Sequence, residues 1–277
     1  MKNFKFIFLL LTIFFLNSCS DTIVLQETAD GSVDAPPVSG YFKKRVLIED
    51  YTGTWCGNCA RVAYAIEKVF EDPDNKAVAV AIHNGNDPYH FEGYQPLKEL
   101  ISPDNDLQLP QSRLNRTIVW TAPEALNVQQ VKNLTGNNCG LGLAMNTQVL
   151  NGNVTLDVKI KFVENYSDLK LVVYLLEDNL FYNQTNYSTY FGNVNPVVNF
   201  EHNHVLRSSL TNVLGDAITE SASIYQTITK TFSVSVPSNV DNAENINFVA
   251  FIVDSNNQVV NVRAAHANEN QDFEVNP

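Results

Sequence analysis

Hydrophobic positions along this chain follow several different periods, and each period predicts a different element. Residues 6–16 form an apolar run, with Thr12 the one polar residue, behind Lys2 and Lys5. The run is shorter than the roughly 20 residues that a bilayer-crossing helix needs, and a basic start followed by a short apolar stretch is the pattern of a secretory signal. Residues 20–42 carry Asp21, Glu27, Asp30, Asp34, Pro36, Pro37 and Gly40 with little periodicity, as a flexible spacer would. From residue 45 onward, strand-like runs alternate with helical spacing. Residues 45–51 read as a strand. Cys59, Val62, Ala63, Ile66, Val69 and Phe70 then recur on one helical face, until Asp72-Pro73-Asp74-Asn75 stops the helix. Residues 77–82 read as a second buried strand, 93–101 as a short helix, and 112–117 and 118–120 as two more strands. Thr121 and Glu124 have the spacing of a capping box, with Pro123 suited to a helix start and Gly136 to its end. The order β-α-β, insert, β-β-α predicts an α/β domain over residues 43–138.

Beyond Gly140 the period becomes two. Leu141, Leu143, Met145, Thr147 and Val149 alternate, Asn151-Gly152 marks a hairpin, and Val154, Leu156, Val158, Ile160 and Phe162 continue the pattern. Residues 169–176, 224–236, 246–253 and 258–264 read as further strands, with Ser255-Asn256-Asn257 turning the last pair. The Asn-rich stretch 183–199 reads as a long loop. Roughly seven strands without a convincing helix predict an all-β antiparallel sandwich, Ig-like in kind, over residues 139–277.

Composition narrows the function classes. Two domains fit within the 277 residues once a leader of residues 1–18 is removed. The formal charge is −12, and loss of Lys2 and Lys5 with the leader makes the remainder two charges more acidic. Such a surface argues against nucleic acid and anionic lipid heads as partners. No P-loop, dinucleotide-binding glycine pattern or serine-nucleophile elbow is present, so no cofactor is expected. His202 and His204 would share one side of a strand, and His83 and His90 flank Asp87. Three convergent ligands do not follow from these positions, so no metal site is assigned. The aromatics Phe181, Tyr182, Tyr187, Tyr190 and Phe191 read as loop packing rather than as a glycan platform.

The chemistry lies in Trp55-Cys56-Gly57-Asn58-Cys59, directly after the first strand. Two cysteines two residues apart at a strand–helix junction are the pattern of a redox pair. A helix N-terminus lowers a thiol pKa from about 8.5 to as little as about 3.5, which favours Cys56 as nucleophile and the more covered Cys59 as resolving thiol. Strand alternation puts Asp50 on the face of Val46 and Ile48, so its carboxyl should be buried and its pKa raised. Cys139 is either an apolar filler or a third redox thiol.

Several stretches also resemble known families. Leu16-Asn17-Ser18-Cys19 resembles the lipobox of bacterial lipoproteins, which implies acylation of Cys19, palmitate included, and anchoring in a membrane through that residue. The Trp-Cys-Gly-x-Cys run resembles thioredoxins. That resemblance implies a thioredoxin-like fold for 43–138, a proton-shuttling role for Asp50, a cis bond between Leu109 and Pro110 facing the cysteines, and a substrate groove at Trp55, Leu109 and Pro110. Asn58 and the lack of a lysine in 77–82 depart from the thioredoxin pattern. The whole layout, with Tyr51-Thr52-Gly53-Thr54-Trp55-Cys56, Leu114-Asn115-Arg116 and residues 201–207 (Glu-His-Asn-His-Val-Leu-Arg), resembles the outer-membrane-protein-28-related lipoproteins of Gram-negative bacteria. This implies a lipid-anchored outer-membrane protein that exchanges thiols and disulfides with exported proteins. The alternative is a non-catalytic surface lipoprotein in which Cys56–Cys59 is a structural disulfide.

Overall fold

The computed structural model describes residues 36–72, 76–104 and 106–277. The leader, Cys19, most of the spacer and Pro73-Asp74-Asn75 lie outside the described residues. The chain is mostly β, arranged in several sheets. A short β1 (Phe42–Lys44) leads into β2 (Val46–Thr52), followed by α1 (Ala60–Phe70), β3 (Ala77–His83) and α2 (Tyr94–Ile101). β4 (Gln111–Leu114), β5 (Ile118–Val119) and the short α3 (Val128–Lys132) complete the first part. β3 runs parallel to β2, from Val46 opposite Ala77 to Thr52 opposite His83, and β4 runs antiparallel on its other side. β2 is buried along its whole length because both faces are covered. Val46 and Ile48 meet the α1 residues Val62, Ala65, Ile66 and Val69, whereas Leu47 and Tyr51 meet Tyr94 and Leu97 of α2.

The predicted capping box does not form. Thr121 gives its backbone N–H to Gln130, no side chain caps the short 3-10 turn at Glu124–Leu126, and Glu124 turns into the protein. Gly136 does not end a helix but opens β6 (Gly136–Cys139), which pairs with β1.

The hairpin of β7 (Leu141–Leu150) and β8 (Asn153–Phe162) turns at Asn151 and Gly152, both with positive φ. Those angles are what a two-residue I′ turn requires. β14 (Thr227–Ser235) joins β8 to make a three-stranded sheet. It faces β9 (Lys170–Glu177), β15 (Ile246–Val253) and β16 (Val259–His266) across a core that includes Met145, Val158, Phe162, Val173, Phe248 and Ile252.

The facing strands belong to a nine-stranded sheet that runs on through β12 (Val205–Ser209) to β3, β2, β4 and β5, with the two-residue β13 (Asp216–Ala217) also on β9. β9 and β15 lack a polar alternation because they too are covered twice. Val172, Tyr174, Val249 and Phe251 point to the same cluster as Tyr51 and Leu97. β12 joins β3 through a parallel bridge of Val205 to Ala81.

The segment expected to be a long loop, 183–199, connects the two strands of a hairpin and includes their inner ends. β10 (Leu180–Gln184) and β11 (Val197–His202) pair as a separate two-stranded sheet, an arm whose tip spans residues 185–196.

Candidate functional site

The cysteine loop leaves the end of β2 and enters α1 through two tight turns, with Cys56 N–H donating to the Gly53 carbonyl and Cys59 N–H to that of Cys56. Cys59 occupies the N-cap position of α1 and Cys56 lies one turn earlier. The two form a disulfide. Cys56 is 5% exposed and Cys59 1%.

Asp50 sits on β2 opposite Ser112 of β4, buried behind the pair, and one of its carboxyl oxygens has no hydrogen-bond partner. Its pKa lies well above the usual carboxylate range. Burial is the main cause, and the neighbouring Glu124 carboxylate adds to it, while Arg61 opposes them. Glu124, also buried, receives Arg61 Nε at 2.9 Å and Ser112 Oγ at 3.2 Å. Two enclosed carboxyls thus lie near one guanidinium, which bonds Glu124 and not Asp50. β3 offers no lysine to Asp50, and Arg61 of α1 supplies the nearby cation instead. Sequence reasoning missed both Arg61 and Glu124, because Glu124 carried a plausible local role in a cap.

The loop is fastened on its other side. Asp87 accepts the Thr54 N–H at 2.6 Å and stands 3.1 Å from His83 Nδ1. Burial alone would push the Asp87 pKa up, but the His83 contact and the backbone donors hold it below the ordinary value. Trp55 is half exposed, gives its Nε1–H to the Asn84 carbonyl at 2.7 Å, and lies against Gly53 and Gly85. A Cβ on Gly53 would come 2.8 Å from the indole nitrogen. The Leu109–Pro110 bond is cis. Gln111 pairs with Tyr51, so Pro110 falls level with the point where the cysteine loop leaves β2. Leu109 packs partly buried near the α2 cluster. Cys139 is buried and not disulfide-bonded; burial pushes its thiol pKa up, which does not favour a thiolate there.

The arm is hydrogen-bonded to the backbone of the cysteine loop. Gln184 Nε2 donates to the carbonyls of Gly53 and Cys56, at 3.3 and 3.1 Å. The backbone N–H of Thr185 donates to Thr54 at 2.8 Å and that of Tyr187 to Gly57 at 2.6 Å. Tyr190 stacks on Tyr64 of α1 with ring centroids 4.2 Å apart. Between arm and α1 lies a cavity of about 260 Å³, lined by Asp50, Cys59, Ile66, His83, Phe200 and His202 among others. His202 is buried there, and desolvation, aided by His83, lowers its pKa to about 3. His202 and His204 do not share a strand, since Val205 begins β12 and His204 has positive φ. Among the described residues no group of three metal-binding side chains converges.

The Leu114-Asn115-Arg116 run proves to be a seam. Asn115 Oδ1 accepts the Leu47 N–H. Arg116 is fully enclosed, with Nε 3.4 Å from Glu49 and one terminal nitrogen donating to Tyr174 Oη and the Val213 carbonyl, so it ties β2 to β9.

Residues 106–271 match the family described as outer membrane protein Omp28; the cysteine pair lies upstream of the matched span. A solved structure, HBP35 of Porphyromonas gingivalis, is similar in fold with a TM-score of 0.62 and 19% identity, covering 84% of this chain and 78% of that one. No curated protein sequence matches. No helix among the described residues is long and apolar enough to cross a membrane.

Proposed function

We propose that this chain, which belongs to the Omp28 family of outer membrane proteins, is a lipid-anchored thiol–disulfide exchange protein acting on exported clients. Cys19 carries the acyl chains, and residues 43–138 form a thioredoxin-like unit built on β2, α1, β3, β4 and β5. The observation that carries the reading is Asp50. An enclosed carboxyl oxygen without a partner costs roughly 1–3 kcal/mol, and a disulfide that only staples the loop has no use for it. A shuttle does. In the oxidised protein a client thiolate attacks Cys56 Sγ, and the Cys56–Cys59 bond breaks. Cys59 leaves as a thiolate and takes the proton held by Asp50 across the cavity they share. A second client thiolate then attacks the client sulfur of the mixed disulfide. The client leaves oxidised, and Cys56 is released and protonated. The reverse sequence reduces a client disulfide. Trp55, Leu109 and Pro110 form the approach surface.

The burial of both cysteines favours a second reading, in which the disulfide is structural. Closing so short a loop (sequence separation 3) stabilises by only about 2 kcal/mol in the chain-entropy account, against about 3 for a 15-residue loop. Insulin reduction by the reduced protein, with trapping of mixed disulfides by Cys59→Ser, separates the two. Trapped clients at Cys56 are the expected result. Absence of both turnover and trapping, with melting lowered by reduction, would establish the staple. Radiolabelled palmitate incorporated by the full chain and lost in Cys19→Ser tests the anchor.

A further inference from the structure

The contact between the arm and the cysteine loop resembles half of a strand pairing. Thr185 and Tyr187, two residues apart, both present their N–H groups to the loop, as alternate residues of an extended chain do. The carbonyls of Gly53, Thr54, Cys56 and Gly57 all accept from residues 184–187. Gly57 is open to this approach because it has no side chain. A Cβ there would collide with the Tyr187 ring.

We propose that this row of carbonyls is a docking edge for an extended, uncharged segment of a client protein, and that residues 184–187 occupy it as an internal stand-in until displaced. The proposal rests on the exchange reading for its purpose but not for its geometry. Three features make the stand-in removable. The arm is its own two-stranded sheet and shares no ladder with the nine-stranded one. Its tip is shaped from within, since Asn186 donates to the Tyr190 and Val194 carbonyls and accepts from Ser188. Tyr187 remains 71% exposed although it is docked, so little apolar area is lost on release. A client fits the edge by offering two N–H groups at alternate residues, with an aromatic or flat side chain to lie on Gly57.

The test uses the mature full chain and follows reduction of Cys56–Cys59 by dithiothreitol, read as mass added by iodoacetamide. Gln184→Ala and Tyr187→Pro each remove donors from the edge, the proline by deleting the N–H. Each should speed reduction roughly fivefold, the ratio that corresponds to one ordinary hydrogen bond. Tyr225→Ala, an exposed tyrosine remote in sequence from the arm, should change nothing. A capped Asn-Gln-Thr-Asn-Tyr-Ser peptide, the sequence of residues 183–188, should slow reduction of Tyr187→Pro again, and a scrambled peptide should not. Unchanged rates in both arm variants, or no protection by the peptide, would overturn the docking edge. If the variants and peptide behave as expected but no variant exchanges with insulin, the edge stands and the exchange reading falls. If insulin is exchanged while the reduction rates stay unchanged, exchange stands and the docking edge falls.

Discussion

Where β9 and β15 face β7 and β8, Met145, Phe162, Val173 and Phe248 pack among apolar side chains, and the buried charge nearby, Glu177 at the end of β9, is paired with Arg207. Where β2 and β3 face α1 and the arm, Asp50, Glu124, His83 and His202 are enclosed instead. Both regions lie along the same sheet, yet one is built for stability and the other holds polar groups that weaken it. Burying an unpaired polar group is unfavourable, and in the second region one oxygen of Asp50 and Nε2 of His202 have no partner, which marks it as the candidate site. The seam between the regions has a third character: Glu49 and Arg116 are both fully buried and paired.

The comparison can be broken from either end. Phe162→Ala should cost about 3–5 kcal/mol in urea unfolding, as large-to-small changes of an enclosed aromatic do, with the same loss at every pH and no change in exchange per folded molecule. A pH-dependent loss there would show that the apolar end is not independent of the site. Arg116→Met should cost about 3 kcal/mol by leaving Glu49 enclosed without its cation. Adding Glu49→Gln should recover part of the loss, and a double-mutant cycle without coupling would show that the pair does not hold the seam.

Asp50→Asn should do the reverse, raising stability at pH 7 by about 1 kcal/mol while slowing exchange. The sign follows from linkage. The folded carboxyl titrates well above the unfolded value of 3.8, so the unfolded state sheds its proton first, and the natural protein loses stability as pH rises past 3.8. The advantage of the variant should therefore vanish below that pH. A variant less stable at neutral pH would show that Asp50 is satisfied rather than strained.

His202→Gln should have the smallest effect at neutral pH. The folded imidazole titrates near 3 and the unfolded one near 6.5, so the natural protein should lose stability as pH falls from about 6.5 toward 3. The variant should show a flatter acid limb in thermal melts recorded across that window.

Much of both regions was legible because the signals are local. The period of α1, the alternation that buries Asp50 beside Ile48, and the Asn151-Gly152 turn each depend on neighbours a few residues away. That the strands at 169–176 and 246–253 are covered on both faces has a visible sign in the sequence. Those runs have no polar alternation, which marks strands covered on both faces, and the second cover comes from the α2 side of the sheet. Glu124 was misread because Thr-x-x-Glu is a local pattern with a local explanation, and its actual partner, Arg61, is distant in sequence. The 183–199 stretch is non-strand over 185–196, as expected, but its flanks pair as β10 and β11, with Phe181, Val197 and Val198 among the apolar residues in those strands.

By itself the sequence determined α1 and most of the strands, the placement of a cysteine pair at a helix start and the enclosure of one acid beside Ile48. Each follows from the order of side chains over one or two turns of chain. Tertiary structure alone decided which distant segment bonds the cysteine loop, which guanidinium Glu124 accepts from and that one sheet runs through both parts. Those outcomes rest on hydrogen bonds and desolvation between residues far apart in the chain, and their energies exist only once the segments have met.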